Sequence, residues 1–329
     1  MLLSIKHTTD LFYNDYINES VMELRMAPRQ EQNQRRLSFS IDIGPATSVK
    51  SYFDWLGNTI HAFSINAMHD RIQIIATSIV ETEARQNRLE LFPDVWLPDA
   101  NFDYTLCDFL LFDGAIVDTP LLRELAAGVL SQVSSRNAPV KLGNLVLAML
   151  KMIDEKFEYQ KGVTGASSPI TEILEHRKGV CQDFTHLMIG LARALNIPAR
   201  YVSGYIHPDR QRLRGYTQTH AWVELFFPSI GWVGVDPTNN CVVGENFVKV
   251  AIGRNFQDVP PNKGVYKGKS EERIDVAVTS EELKSVPAEL AAERAGVLNV
   301  PIYEGTNQGG KEQHREQQQQ EQQEQQQQQ

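Results

Sequence analysis

Hydrophobic and polar residues alternate with a period of two from residue 10 to about residue 100. RLSFSIDIG (36–44) puts Leu37, Phe39, Ile41 and Ile43 on one face of an extended chain, and Ser38, Ser40 and Asp42 on the other. VMELRM (21–26) sets Met22, Leu24 and Met26 against Glu23 and Arg25. NTIHAFSI (58–65) and DRIQIIATSIVET (70–82) are β-branched runs bounded by Gly57-Asn58 and by His69-Asp70. Short alternating segments separated by turn residues predict an antiparallel β-sandwich-like domain. The stretch DVWLPDANFDY (94–104), with Pro93 before it and Pro98 inside it, has no period and reads as a linker.

Beyond the linker the period becomes helical. LLRELAAGVLSQV follows Thr119-Pro120, a capping residue and a proline at the first helical position. In KLGNLVLAMLKMIDEKFEY, Leu142, Leu145, Val146, Met149, Ile153 and Phe157 recur at three- and four-residue steps. SSPITEILEHRKG reads as a short helix capped by Ser168, opened by Pro169 and ended before Gly179. Phe184, Leu187, Met188, Leu191 and Leu195 then mark a buried helix that begins at or next to Cys181 and stops at Asn196-Ile197-Pro198. ARYVSGYI, THAWVELFF and GWVGVDP read as strands, the last two joined through Pro228-Ser229-Ile230, and IDVAVTS (274–280) as one more strand.

Three residues in this second region carry nucleophilic chemistry: Cys181, His220 and Asp236. A thiol attacks a carbonyl as thiolate, and an ordinary cysteine near pH 7 is mostly protonated. A helix N-terminus favours negative charge at Cys181, and a histidine within reach takes the proton. If Phe226 pairs with Ile230 across a three-residue loop, 220 faces 236 across the hairpin. A register shifted by two keeps them on one face as diagonal neighbours. Asp236 then orients the imidazole, and the backbone N–H of Cys181 serves as oxyanion donor. The same three side chains are also suitable zinc ligands, although no fourth ligand stands out.

The strings GVCQDFTHLMIGLARALNIPARYVSGY, THAWVELFFP, GWVGVDPTNN and GVYKG resemble the bacterial transglutaminase-like superfamily, a papain-like group of cysteine enzymes. ELRMAPR and DWLGN resemble the β-rich N-terminal domain that precedes the core in many bacterial members. The likeness spans roughly residues 10–280. It implies an α+β fold: a sandwich-like domain over 1–105, then a papain/transglutaminase-like core of helices on an antiparallel sheet over 106–280. Residues 281–329 are expected to be a weakly structured to disordered Gln/Glu-rich tail. It further implies Cys181 as nucleophile, His220 as base and Asp236 as orienting acid, working through a thioester. The expected outcome is hydrolysis of a peptide or isopeptide substrate; transfer to an amine, or a silent binding module, are the alternatives. Gln182 stands where many relatives have arginine, which bears on substrate preference.

Composition adds limits. The net charge of −9 over 329 residues leaves no basic excess for nucleic acid. Three cysteines and no CxxC pair do not describe a disulfide scaffold or zinc ribbon. Cys107 and Cys241 read as small buried hydrophobes. Neither a signal-like N-terminus nor a run of about 18 apolar residues is seen, so the expectation is a cytoplasmic protein without membrane contact. No cofactor or calcium is expected, and oligomeric state is left open. Asp183 reads as a helix-start charge, His186 as lying off the Cys181 face, Trp222 and Trp232 as core or cleft walls, and Tyr205 as either cleft or packing.

Overall fold

The computed structural model describes residues 1–83, 88–100, 102–165, 168–208, 219–288 and 290. The first six strands are β1 (Leu2–Ile17), β2 (Glu19–Leu24), β3 (Gln34–Gly44), β4 (Val49–Phe53), β5 (Thr59–Ile65) and β6 (His69–Thr82). Then follow α1 (Tyr104–Cys107), α2 (Pro120–Val133), α3 (Leu142–Lys156), β7 (Glu158–Tyr159), α4 (Ile170–His176), β8 (Lys178–Gly179) and α5 (Cys181–Ala194). The remaining strands are β9 (Ala199–Ile206), β10 (His220–Phe227), β11 (Gly231–Asp236), β12 (Cys241–Val242), β13 (Phe247–Gly253), β14 (Asn262–Lys267) and β15 (Glu272–Glu282).

Two antiparallel sheets, ordered β15-β1-β6-β3 and β14-β2-β5-β4, enclose a core that includes Leu11, Ile17, Leu24, Phe63 and Ile72. This is the sandwich that the alternation predicts, with Met22, Leu24 and Met26 all buried. The period-two stretch begins earlier than expected, at Leu2. His7 and Thr9 occupy inward positions of β1 and hide its alternation. They are answered inside: His7 Nδ1 meets Tyr205 Oη at 2.9 Å, and His7 Nε2 meets Thr9 Oγ1 at 3.1 Å. Tyr205 is thus a packing residue, and its hydroxyl also donates to the Met26 carbonyl at 3.3 Å. The expected strand at 274–280 forms as part of β15 and pairs with β1, while β14 pairs with β2. The last two strands, after the core, therefore complete both sheets of the sandwich.

The second core lies between helices and the sheet β12-β11-β10-β9-β13. Thr119 accepts the Leu122 N–H at 3.2 Å and Pro120 opens α2, as its sequence predicts. The α4 start differs from expectation. Pro169 holds the cap position, and Ser168 Oγ instead donates to Glu172 Oε2 at 2.7 Å. Its end is also displaced, to Arg177 in the left-handed region at φ 56°. Gly179 has a different duty: a Cβ there would sit 2.8 Å from Asp183. Cys107 is a correction as well, being exposed at the end of the single-turn α1. One turn presents only one face inward, and Leu106 takes it.

Helix α5 is buried on nearly every side, which marks a central core helix. Its Arg193 is 4% exposed and donates to the carbonyls of Phe109 (3.0 Å), Leu111 (2.5 Å), Ala199 (3.0 Å) and Arg254 (2.7 Å). Met1–Ser285 forms one compact unit, and Val286 begins a separate one. Most of the expected tail over 281–329, including all of the Gln/Glu-rich tract, lies outside the described residues. Among the described residues no helix is long and apolar enough to cross a membrane.

Arg193→Met keeps most of the side-chain volume but removes four hydrogen bonds to carbonyls, two of them buried and two part-buried. The expected cost is about 3 kcal/mol or more. Equilibrium urea unfolding checks it, with a lower midpoint at an unchanged m-value.

Candidate active site

Cys181 occupies the first position of α5, half-buried. Side chains close the helix start. Asp183 Oδ2 accepts the Val180 N–H at 2.8 Å and the Thr164 hydroxyl at 2.6 Å, and Thr185 Oγ1 donates back to the Cys181 carbonyl at 2.7 Å. Asp183 is 3% exposed, and burial raises its pKa against those hydrogen bonds. Its expected electrostatic role is therefore a specific cap. Gly179 leaves the space that this carboxylate fills.

His220 opens β10 and Asp236 closes β11. The hairpin pairs Val223 with Val235, Phe226 with Trp232 and Phe227 with Gly231. This is the register shifted by two from the direct pairing of 220 with 236. Continued by one step it sets Trp222 opposite Asp236, with His220 diagonal to it on the same face. The physical reason lies in the loop. Pro228 has no N–H to give the ladder, and Gly231 adopts φ +83°, a conformation glycine takes freely. Pro228–Ile230 thus form the connection, so that β10 ends and β11 begins one residue later than the direct pairing needs.

The diagonal suffices. His220 Nε2–H donates to Asp236 Oδ2 at 2.8 Å, with both side chains fully buried. Asp236 is held from all sides: Oδ1 accepts the Thr238 N–H at 2.9 Å, and Oδ2 also accepts Asn239 Nδ2–H at 2.6 Å. Its ordinary turn-forming habit at a strand end and its partnership with His220 are thus one arrangement. Burial alone disfavours a charged His220, but the Asp236 charge and hydrogen bond, together with Cys181, raise its pKa to about 10. With Nε2 given to Asp236, Nδ1 is the ring nitrogen left for the thiol. It meets no nitrogen or oxygen partner among the described residues. Trp222 and Phe247 flank the imidazole, each ring centroid 6.2 Å away.

Asn239 is the site residue that sequence reasoning passed over, although an asparagine three residues after a strand-end aspartate was a usable signal. Phe247 carried none, because its place depends on β13 pairing with β9. His186 is separate, as its sequence position predicts. It is buried, accepts the Phe256 N–H at 3.2 Å and packs on Tyr201, and burial pushes its pKa down to about 3. Cys241 is half-buried, its thiol pushed up to about 12 by burial and by the Asp236 charge. Trp222 is core, whereas Trp232 lies half-buried under Arg200, whose guanidinium stands 4.2 Å from the ring centroid. Among the described residues no three His, Cys, Asp or Glu side chains are grouped to hold a metal.

Comparison with known proteins adds ancestry to this geometry. Residues 129–237, which include Cys181, His220 and Asp236, match the family described as the transglutaminase-like superfamily. Residues 3–81 match the bacterial transglutaminase-like N-terminal region. The chain is 32% identical over 282 residues to an uncharacterised protein of Mycobacterium leprae, covering 84% of this chain and 97% of that one. It is 34% identical over 111 residues to the protein-glutamine gamma-glutamyltransferase of Pseudomonas aeruginosa, covering 31% of this chain and 17% of that protein. A solved structure, a candidate cysteine protease from Cytophaga hutchinsonii, shares the fold with a TM-score of 0.70 at 22% identity. That match covers 87% of this chain and 93% of the other.

The buried histidines predict opposite pH dependences. His220 binds its proton more tightly folded than unfolded, so its stabilisation is complete below pH 6.5 and is lost as pH rises through about 10. His7 and His186, with pKa values lowered to about 4 and about 3, stabilise above pH 6.5 and lose that contribution as pH falls through those values. Urea unfolding between pH 3 and 10 checks both limbs. His220→Ala should flatten the alkaline limb and leave the acid limb in place.

Proposed function

This chain belongs to the transglutaminase-like superfamily, and we propose that it is a cysteine-dependent acyl-transfer enzyme acting on amide bonds. The observation that carries the reading is the buried His220–Asp236 hydrogen bond of 2.8 Å, set beside a thiol at a helix N-terminus. Cys181 is the nucleophile, His220 the general base and acid, and Asp236 the group that holds the imidazole. The Cys181 proton passes to His220 Nδ1, and the sulfur attacks the carbonyl carbon of the substrate amide. The backbone N–H of Cys181 faces the developing oxyanion. As the C–N bond breaks, His220 returns the proton to the departing amine and a thioester remains. Asp236 stays ionised throughout, and its two further donors, Thr238 N–H and Asn239 Nδ2–H, keep its lone pairs directed.

Attack on the thioester by water completes a peptidase or amidase reaction, which is our preferred outcome on a peptide or isopeptide substrate. Attack by a primary amine is the transferase outcome. The likeness of 111 residues to a protein-glutamine gamma-glutamyltransferase keeps that second reading in play. No step calls for a cofactor.

Alkylation tests the site before any substrate is known. Iodoacetamide should label Cys181 faster than the exposed Cys107, and Cys241 slowest. His220→Ala should slow Cys181 by at least tenfold while Cys107 keeps its rate. Equal rates at Cys181 and Cys107 in the native protein, unchanged by His220→Ala, would falsify the enzyme reading. Incubation with a peptide library and a labelled amine then separates the outcomes. New N-termini are expected for a peptidase and amine incorporation for a transferase, each abolished by Cys181→Ala.

A further inference from the structure

A cavity of about 340 Å³ lies where the N-terminal sandwich meets the core sheet. That is within the range of roughly 300–1,000 Å³ typical of ligand sites. Its wall is shared between the two. Asn33 and Gln34 come from the β2–β3 side, and Trp222, Trp232, Val243 and Phe247 from the core. A polar recess of about 270 Å³ continues from it, sharing Glu31, Asn33, Gln34 and Glu83 and adding Gln30, Gln32 and the Arg35–Glu81 ion pair. Together they make one groove with a largely apolar chamber and an approach lined by amides and charged groups.

The chemistry of the wall narrows what fits. The chamber is faced by aromatic rings and branched aliphatic side chains, so it favours an apolar, ring-shaped group. Its inner carboxylates are already answered: Lys249 Nζ pairs with both Glu31 and Glu224, and Glu224 also takes Arg200 at 2.7 Å. An anionic side chain entering the chamber would find its one wall cation, Lys249, already paired, and would stand beside the Glu83 carboxylate. Gln34 is committed to the Lys249 backbone, and Gln30 to that of Arg36. The side-chain amides of Gln32 and Asn33 bond nothing among the described residues. The indole N–H of Trp222, in the chamber wall, is buried and also lacks an acceptor among them. Unused amide groups beside an apolar chamber match a peptide backbone beside a hydrophobic side chain.

We propose that this groove recognises an extended peptide segment bearing an aromatic side chain. The ring fills the chamber walled by Trp232 and Phe247, and the flanking backbone exchanges hydrogen bonds with Gln32 and Asn33. The proposal rests on the reading of the substrate as a peptide or protein. It gives the N-terminal domain a function, the polar half of a substrate groove. Trp222 and Phe247 belong both to the chamber wall and to the surroundings of His220, so the bound ring lies one aromatic layer from the base.

The test uses the full chain carrying Cys181→Ala, titrated calorimetrically with acetyl-Gly-Gly-Phe-Gly-Gly-amide and with versions having Asp or Gly in place of Phe. The Phe peptide is expected to bind saturably and at least tenfold more tightly than the other two. Val243→Trp, which fills the chamber, should weaken it at least tenfold. Ile230→Glu, a half-exposed rim position where folding is not at stake, should weaken it at least fivefold. The double change Gln32→Ala and Asn33→Ala should weaken it about threefold. Equal binding of the three peptides, or indifference to both Val243→Trp and Ile230→Glu, overturns the groove. The two readings fail separately. Binding of the Phe peptide without turnover by unmodified chain removes the catalytic reading and leaves the groove. Turnover of peptides unaffected by Ile230→Glu removes the groove and leaves the catalysis.

Discussion

An imidazole and a carboxylate with no exposed surface coexist only where each answers the other. Breaking such a buried pair by removing one partner costs about 3–5 kcal/mol, because an uncompensated charge stays behind. His220 and Asp236 meet that constraint through the hairpin, and the DPTNN turn supplies the rest. Thr238 and Asn239 turn back on the Asp236 carboxylate, so the residue that ends β11 is anchored by its own loop. The pair in turn requires β10 and β11 to keep their register, since diagonal contact fails if it slips.

The same demand recurs at the other half of the site. The first turn of a helix presents N–H groups with no partner inside the helix. Asp183 answers the first of them, Gly179 makes room for it, and Thr185 ties the opening turn. Farther along, Arg193 spends its guanidinium on four carbonyls from three separate segments, at 109–111, 199 and 254. Helix α5 is therefore fixed at both ends by side-chain chemistry, and its thiol is held still relative to the hairpin. The sandwich is tied to that platform by Gln34 and Lys249 and by Tyr205 beneath β1.

Much of this was legible in the chain. The period-two runs, the Thr119-Pro120 start of α2, the helix beginning at Cys181 and the stop at Asn196-Ile197-Pro198 all follow from contacts within a few residues. Asp236 as a turn residue and as the partner of His220 were both readable, since turn and hairpin share one short segment. Less local features were not. β1 was obscured because two polar residues point inward, and what makes them tolerable is Tyr205, almost two hundred residues away. The edge strands β14 and β15 look ordinary in sequence, and only their pairing with β2 and β1 shows them closing the sandwich.

By itself the sequence determined the residue types at the site, the elements that carry them and the face they share, because backbone periodicity and turn chemistry act over short distances. Only the tertiary structure decided the register, the exposure of Cys107, the cap on α5 and the groove between sandwich and core. Each of these depends on which surfaces meet. A one-dimensional pattern states that a face must be buried, but the partner that buries it is chosen by packing between segments far apart in the chain.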